Sequence, residues 1–293
     1  MHRIGIDIGG TRLRVAAYDE NDVQVAKDIM ANDHALGPEG NCDRLIASVR
    51  TWGLEIEGVG IGVPGPLDFP AGKILNPPNL PDWEGFEVVR YFEEALGCPA
   101  ALNNDANLAG LAEALVGAGK GRDSVFYFTV STGVGGAYVY RGELVNGANS
   151  CAGEVFTLIV NENDDVHEGV CPGALADQAS GTALARKATR SFGYTVDGRE
   201  LFALAASGDE RARAIVDEAA ENMARGVANV SFVVDPDIFV FGGSVALCNP
   251  GFIDLVREKA AKYVLHPEAL RFELASCGDD AGLVGAALLV KRG

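Results

Sequence analysis

Basic residues are scarce in this chain. Its 293 residues hold 24 Lys and Arg against 41 Asp and Glu, a formal net charge of −17. Nucleic-acid binding needs a basic face to neutralise phosphates, and this balance argues against one. Long apolar runs are missing, which argues against a membrane-spanning helix. The sequence opens straight into a strand-like segment with no signal-peptide pattern, so a cytoplasmic location and no membrane partner are expected. Six cysteines (Cys42, Cys98, Cys151, Cys171, Cys248 and Cys277) stand far apart with no Cys-x-x-Cys pair. Free thiols in a reducing compartment fit that spacing better than disulfides or a complete zinc site. No low-complexity tract or polar linker interrupts the chain. With 48% hydrophobic and 22% charged residues, it reads as a globular protein long enough for two domains.

What is abundant is glycine placed between apolar runs. The stretch Ile4-Gly-Ile-Asp7-Ile-Gly9-Gly10-Thr11-Arg12 opens as a buried strand and breaks on a glycine pair. It resumes as a second strand over 13–18. Glycine lets the backbone turn sharply and bring its N–H groups up to a bulky anion. Asp7 stands beside that turn at a strand end, where a carboxylate suits a hydrated Mg²⁺. An ordinary tight hairpin, its Asp satisfying its own turn, would give the same local pattern. A second copy follows: an apolar run over 125–130, the break Ser131-Thr132-Gly133-Val-Gly135-Gly136, and a strand over 137–140. Both copies continue through a polar turn into a third short strand. The repeat predicts two related domains, each with a phosphate loop, clamping one polyphosphate between them.

The rest of the chain alternates strands with helices, an α/β pattern. Helices are expected over 38–54, 86–96, 108–116, 180–190, 208–230, 251–263 and 283–290. Strands are expected over 58–63, 100–102, 238–241 and 272–275. Residues 67–82 form a Pro- and Asn-rich loop too long to be a mere connection, and 147–163 and 167–179 read as irregular. Asn103-Asn104-Asp105-Ala-Asn107 opens the third of these helices. One helix cap needs one such residue, and the excess of Asn and Asp favours a site. Gly242-Gly243-Ser244 makes a third glycine turn after a buried strand.

Six motifs now stand in a recognisable order: Asp7-x-Gly9-Gly10-Thr11, Gly60-Ile-Gly-Val-Pro64-Gly65-Pro66, Asn104-Asp105-Ala-Asn107, Thr132-Gly133-Val-Gly135-Gly136, Ala152-Gly153-Glu154 and Gly242-Gly243. Together they resemble the ROK family (repressors, open reading frames, kinases) of the sugar kinase, actin and heat-shock chaperone superfamily, over essentially the whole chain. The resemblance implies an α/β fold of two ribonuclease H-like (actin-like ATPase) domains flanking a cleft. These would be 1–117 and 118–293, with the final helix, 283–293, packing back on the first. It implies a homodimer whose small-molecule partners are a sugar and ATP, with Mg²⁺. In that reading Asp105 is the catalytic base that a weakly nucleophilic sugar hydroxyl requires. Asn104, Asn79 and Gly65 line the sugar, and Glu154 accepts from vicinal hydroxyls. Gly9, Gly10, Thr11 and Arg12 cradle phosphates from one domain, and Ser131, Thr132 and Gly133 from the other. Gly242 and Gly243 let adenosine pack against backbone, and Asp7 holds Mg²⁺ through water. Arg12, where the family often has lysine, reads equally as a phosphate contact or a surface ion pair.

The pattern breaks in one place. Most family members continue into Gly-His and later carry Cys-x-Cys-Gly-x-x-Gly-Cys-x-Glu, which binds a structural zinc. Here Phe156-Thr157 replaces Gly-His, Ala174 replaces a zinc cysteine, and Ala176 stands where a second sugar-binding glutamate belongs. Cys171 and His167 alone are too few for a closed tetrahedral site, so no zinc is expected. Thr157 takes the histidine's place beside the substrate, and Asp177, one residue on, is a candidate replacement for the glutamate. The activity implied is ATP- and Mg²⁺-dependent phosphorylation of a hexose hydroxyl, O6 of glucose by default. An N-acetylhexosamine such as N-acetylmannosamine is the alternative, and polyphosphate stays open as the donor. A sugar-sensing repressor would carry an N-terminal helix-turn-helix, whereas this sequence opens on the phosphate-loop strand. A sugar-binding protein without catalysis is the remaining rival.

Overall fold

Two five-stranded sheets with the same strand order organise the α/β fold. The computed structural model describes residues 1–77, 79–163 and 170–290. Along the chain come β1 (His2–Ile8), β2 (Arg12–Tyr18), β3 (Gln24–Ala31), α1 (Gly37–Thr51), β4 (Ile56–Gly62), β5 (Leu67–Asp68), β6 (Lys73–Ile74), α2 (Val88–Leu96), β7 (Ala100–Asn103) and α3 (Asp105–Leu115). Then follow β8 (Ser124–Val130), β9 (Val134–Tyr140), β10 (Glu143–Leu144), α4 (Leu175–Ala179), α5 (Gly181–Phe192), α6 (Gly198–Ser207) and α7 (Glu210–Val234). The chain ends with β11 (Ile238–Gly242), α8 (Ser244–Cys248), α9 (Pro250–Ala260), β12 (Phe272–Leu274) and α10 (Ala281–Leu289).

The first sheet runs β3-β2-β1-β4-β7 and the second β10-β9-β8-β11-β12. In each, the central strand (β1 or β8) pairs antiparallel with its hairpin partner on one side and parallel with β4 or β11 on the other, and that strand in turn pairs parallel with the edge strand β7 or β12. The chain divides into two compact units. One holds Met1–Val116, Asn146–Ser150 and the chain from Cys277 on, and the other holds Gly117–Val145 and Cys151–Ser276.

In the first unit, Ile4, Ile6 and Ile8 are fully buried on β1, covered on both faces as a central strand requires. One cover is α10, and the fit is backbone against backbone. A Cβ on Gly60 of β4 would overlap the carbonyl of Ala286, and one on Gly285 would overlap that of Leu108 in α3. The second unit centres on Phe126, Phe128, Phe239 and Phe241; the Phe128 and Phe241 rings stack 5.5 Å apart. Alanines of α7 (Ala212, Ala219, Ala220 and Ala224) are buried against this core.

Several elements differ from expectation. Residues 67–82 include the small hairpin β5–β6. The third helix begins at Asp105, not at 108, because Asn104 caps it. Residues 175–179, read as irregular, form α4, with the Leu175 side chain meeting Gly226 of α7. Helix α6 was not anticipated, although Asp197 caps its start and Gly208 closes it at φ +103°. Its short apolar face is too weak a periodic signal to mark it. Among the described residues, no helix is long and apolar enough to cross a membrane.

Candidate active site

Ligands of open α/β sheets bind at the carboxyl ends of parallel strands. In the first unit those ends are Asp7 to Gly9 on β1, Gly62 on β4 and Asn103 on β7. The β1–β2 turn is held from outside. Asn32 donates its backbone N–H to the Thr11 carbonyl at 3.0 Å and its side-chain amide to the Gly9 carbonyl at 3.0 Å. The N–H groups of Gly10 and Thr11 meet no hydrogen-bond acceptor among the described residues. Two such amides at a glycine turn suit an anion. Gly10 also has an internal reason to be glycine: a Cβ there would stand 2.8 Å from the Asn79 carbonyl, which rests on the turn. Thr11, Arg12, Gly65 and Asn79 are exposed.

Asp7 is not free. Register places it opposite Arg14 on β2, whose Nε and Nη2 both lie 2.7 Å from Asp7 Oδ2. Asp7 Oδ1 receives no hydrogen bond from the described residues.

Asp105 opens α3, and an asparagine lattice fixes it there. Asn103, 1% exposed, accepts from the Asn104 N–H at 2.9 Å and the Asn107 amide at 2.7 Å, and donates to Asn146 at 3.0 Å. Asn104 Oδ1 caps the Asn107 N–H at 2.6 Å. The Asp105 carboxyl reaches solvent, yet dense surrounding protein strips it of much hydration. That desolvation pushes its pKa above the ordinary 3.8; the Ala106 N–H opposes the shift and the charge of Asp7 adds to it. Asn103→Leu should strand several buried polar partners. The expected loss is about 2 kcal/mol or more in stability, read as a lower urea midpoint with a matching fall in turnover. An unchanged midpoint would contradict the lattice.

The second unit repeats the turn. Gly181 and Thr182, at the start of α5, donate to the carbonyls of Ser131 (2.7 Å) and Thr132 (3.3 Å). The N–H groups of Thr132 and Gly133 meet no acceptor among the described residues. Gly242 and Gly243 end β11 beside the end of β8. A Cβ on Gly242 would overlap the Tyr127 hydroxyl, and Gly243, at φ +85°, packs on the Val130 backbone. Ser244 Oγ then lies 3.2 Å from Ser131 Oγ. The third glycine turn therefore braces the second.

Residues 156–160 run beside 173–176, joined through Leu175 N–H to Leu158 O at 2.8 Å and Ala176 N–H to Phe156 O at 2.9 Å. Glu154 and Thr157 are half-buried. Cys171 Sγ stands 3.7 Å from the Thr157 carbonyl, and His167 lies outside the described residues. Asp177 is 4% exposed and ion-paired with Arg186 at 3.1 Å. Sequence reasoning missed Arg14, Asn32 and Asn146. Counting back across the hairpin from Ile8 opposite Leu13 would have placed Arg14 facing Asp7. No local signal marks the other two.

A model of the ROK family matches residues 3–293. The ROK hexokinase of Thermus thermophilus is 37% identical and superposes with a TM-score of 0.91, covering 99% of this chain and 97% of that one. The N-acetylmannosamine kinase of Salmonella typhi is 34% identical over 99% of each chain. The bifunctional enzyme NanE/NanK of Brucella melitensis is 32% identical over 97% of this chain, which spans about half (53%) of that relative's length. On the strength of the whole-chain match and the shared fold, this chain belongs to the ROK family.

Proposed function

We propose that the chain is an ATP-dependent sugar kinase with Asp105 as general base. One observation carries the reading: a carboxyl with a raised pKa is fixed at a helix start, close enough to Asp7 to feel its charge, at the carboxyl ends of the parallel strands. A raised pKa makes a carboxylate a better proton acceptor for a sugar hydroxyl. Asn104 and Asn79 orient neighbouring hydroxyls in this scheme, and Glu154 and Thr157 are further candidate sugar ligands. The turn amides of Gly10, Thr11, Thr132 and Gly133, which meet no acceptor among the described residues, receive phosphate oxygens, as a chain of net charge −17 needs neutral donors for a polyphosphate.

A divalent ion fits Asp7. One carboxylate oxygen is taken by Arg14 and the other is open, which suits Mg²⁺, an ion that keeps several waters and takes few protein ligands. Mg²⁺ would neutralise charge on the transferring phosphoryl group. No zinc belongs to this reading, and Asp177, engaged by Arg186, is not assigned to the sugar.

A hexose phosphorylated at O6 is the first substrate choice, with glucose as the default. N-acetylmannosamine is the second, favoured by the similarity to the Salmonella typhi enzyme. The test is ADP release with ATP and Mg²⁺ across glucose, mannose, fructose, allose, N-acetylglucosamine and N-acetylmannosamine. One sugar should give turnover; silence across the panel, with ATP or sugar still bound, would remove the kinase reading. In the active case, kcat/KM should fall as acid protonates Asp105, with the acid limb above pH 3.8, the ordinary carboxyl value. A limb at or below that value would take the base role from Asp105.

A further inference from the structure

We propose that Arg14 is a positioning residue that clamps one oxygen of Asp7, so that only the other can meet the metal's water shell. This rests on the kinase reading above, in which Asp7 serves the metal. The two side chains face each other across the β1–β2 pair. Two guanidinium nitrogens of Arg14 converge on Oδ2 at 2.7 Å, and its Nη1 donates to the Asp279 carbonyl at 2.7 Å. Three anchors fix the plane of the fork, and with it the Asp7 carboxylate. Among the described residues, one further carboxylate pairs with Arg14. Asp280, 3.5 Å from Arg14 Nη1, is held by Lys27 Nζ at 2.7 and 2.6 Å through both oxygens. Lys27 thus satisfies Asp280 and leaves Arg14 for Asp7. The groups that hold a metal-binding carboxylate set both its charge and its direction. Without Arg14, Asp7 carries a full uncompensated charge and is free to turn. It would then attract a divalent ion more strongly and place it wrongly.

That gives a signature of opposite signs. In Arg14→Met, Mn²⁺ titrated into the protein with ADP, followed by electron paramagnetic resonance, should bind at least about threefold more tightly. Turnover of the accepted sugar with ATP and Mg²⁺ should fall at least about tenfold. Arg14→Lys, which keeps the charge but not the fork, should recover part of both changes. Unchanged Mn²⁺ binding in Arg14→Met, or binding and turnover that fall together with melting temperature in both variants, would overturn the proposal. Asp7→Asn separates this from the parent reading. If Asp7→Asn weakens Mn²⁺ binding while Arg14→Met does not alter it, only the role of Arg14 fails. If Asp7→Asn also leaves Mn²⁺ binding unchanged, the metal assignment of Asp7 fails and takes the clamp with it.

Discussion

Asp105→Asn is expected to lower kcat by on the order of 10³, within the range that a general base contributes, while the protein keeps its fold and melts no earlier than wild type. The stability half of this follows from the direction of the shift. Asp105 has a folded-state pKa raised above 3.8, so the folded protein binds its proton more readily than the unfolded chain does. The charged carboxylate therefore opposes folding, an effect present at pH values above the folded pKa and absent below 3.8. Asparagine removes the charge and keeps an oxygen for the Ala106 N–H, which Asp105 Oδ1 now accepts at 2.9 Å. The check is kcat under saturating ATP and sugar, alongside a melting curve near neutral pH. Retained turnover would move the base elsewhere; a variant that melts well below wild type would show that Asp105 serves the fold.

Gly60→Ala is expected to have the largest effect on stability. The added methyl would overlap the backbone carbonyl of Ala286 in α10, and a carbonyl cannot swing aside as a side chain can. Either β4 or α10 must shift. Overpacking of this kind typically costs 1–3 kcal/mol, and against backbone we expect about 3 kcal/mol or more. That corresponds to a fall in melting temperature of roughly 6–12 °C in a chain of this size. The helix start carries Asp279 and Asp280, which meet Arg14 and Lys27, so the displacement should also reach Asp7 and depress turnover. Gly53→Ala offers a control on the same unit. A Cβ at Gly53 meets nothing within 4 Å, and the cost there is only the strain of φ +62°. Equal losses in the two variants would show that the close approach of α10 is not what Gly60 protects.

Much of the candidate site was legible because it is local in the chain. A glycine break between two apolar runs fixes a hairpin within a dozen residues, and its duplication predicts two similar sheets, which appear with one strand order. The excess of Asn and Asp over 103–107 pointed beyond capping. The structure gives the extra residues work: Asn104 caps, Asn103 binds three partners, and Asp105 is left facing solvent. The surroundings of Asp177 were not legible. Near-register with a family glutamate says nothing of Arg186, nine residues later on α5, which turns to meet it.

By itself the sequence determined the α/β class, the repeat, the glycine turns and the family, since each is written in contiguous residues whose backbone preferences act locally. Only the tertiary structure decided which groups those turns leave open. Strand register set Arg14 against Asp7. The return of Asn146–Ser150 to the first unit placed Asn146 on Asn103. The packing of α10 left no room for a Cβ on Gly60. These are pairings between residues from 7 to 226 positions apart, and no local preference encodes them; they arise when burial of the two cores brings the segments together.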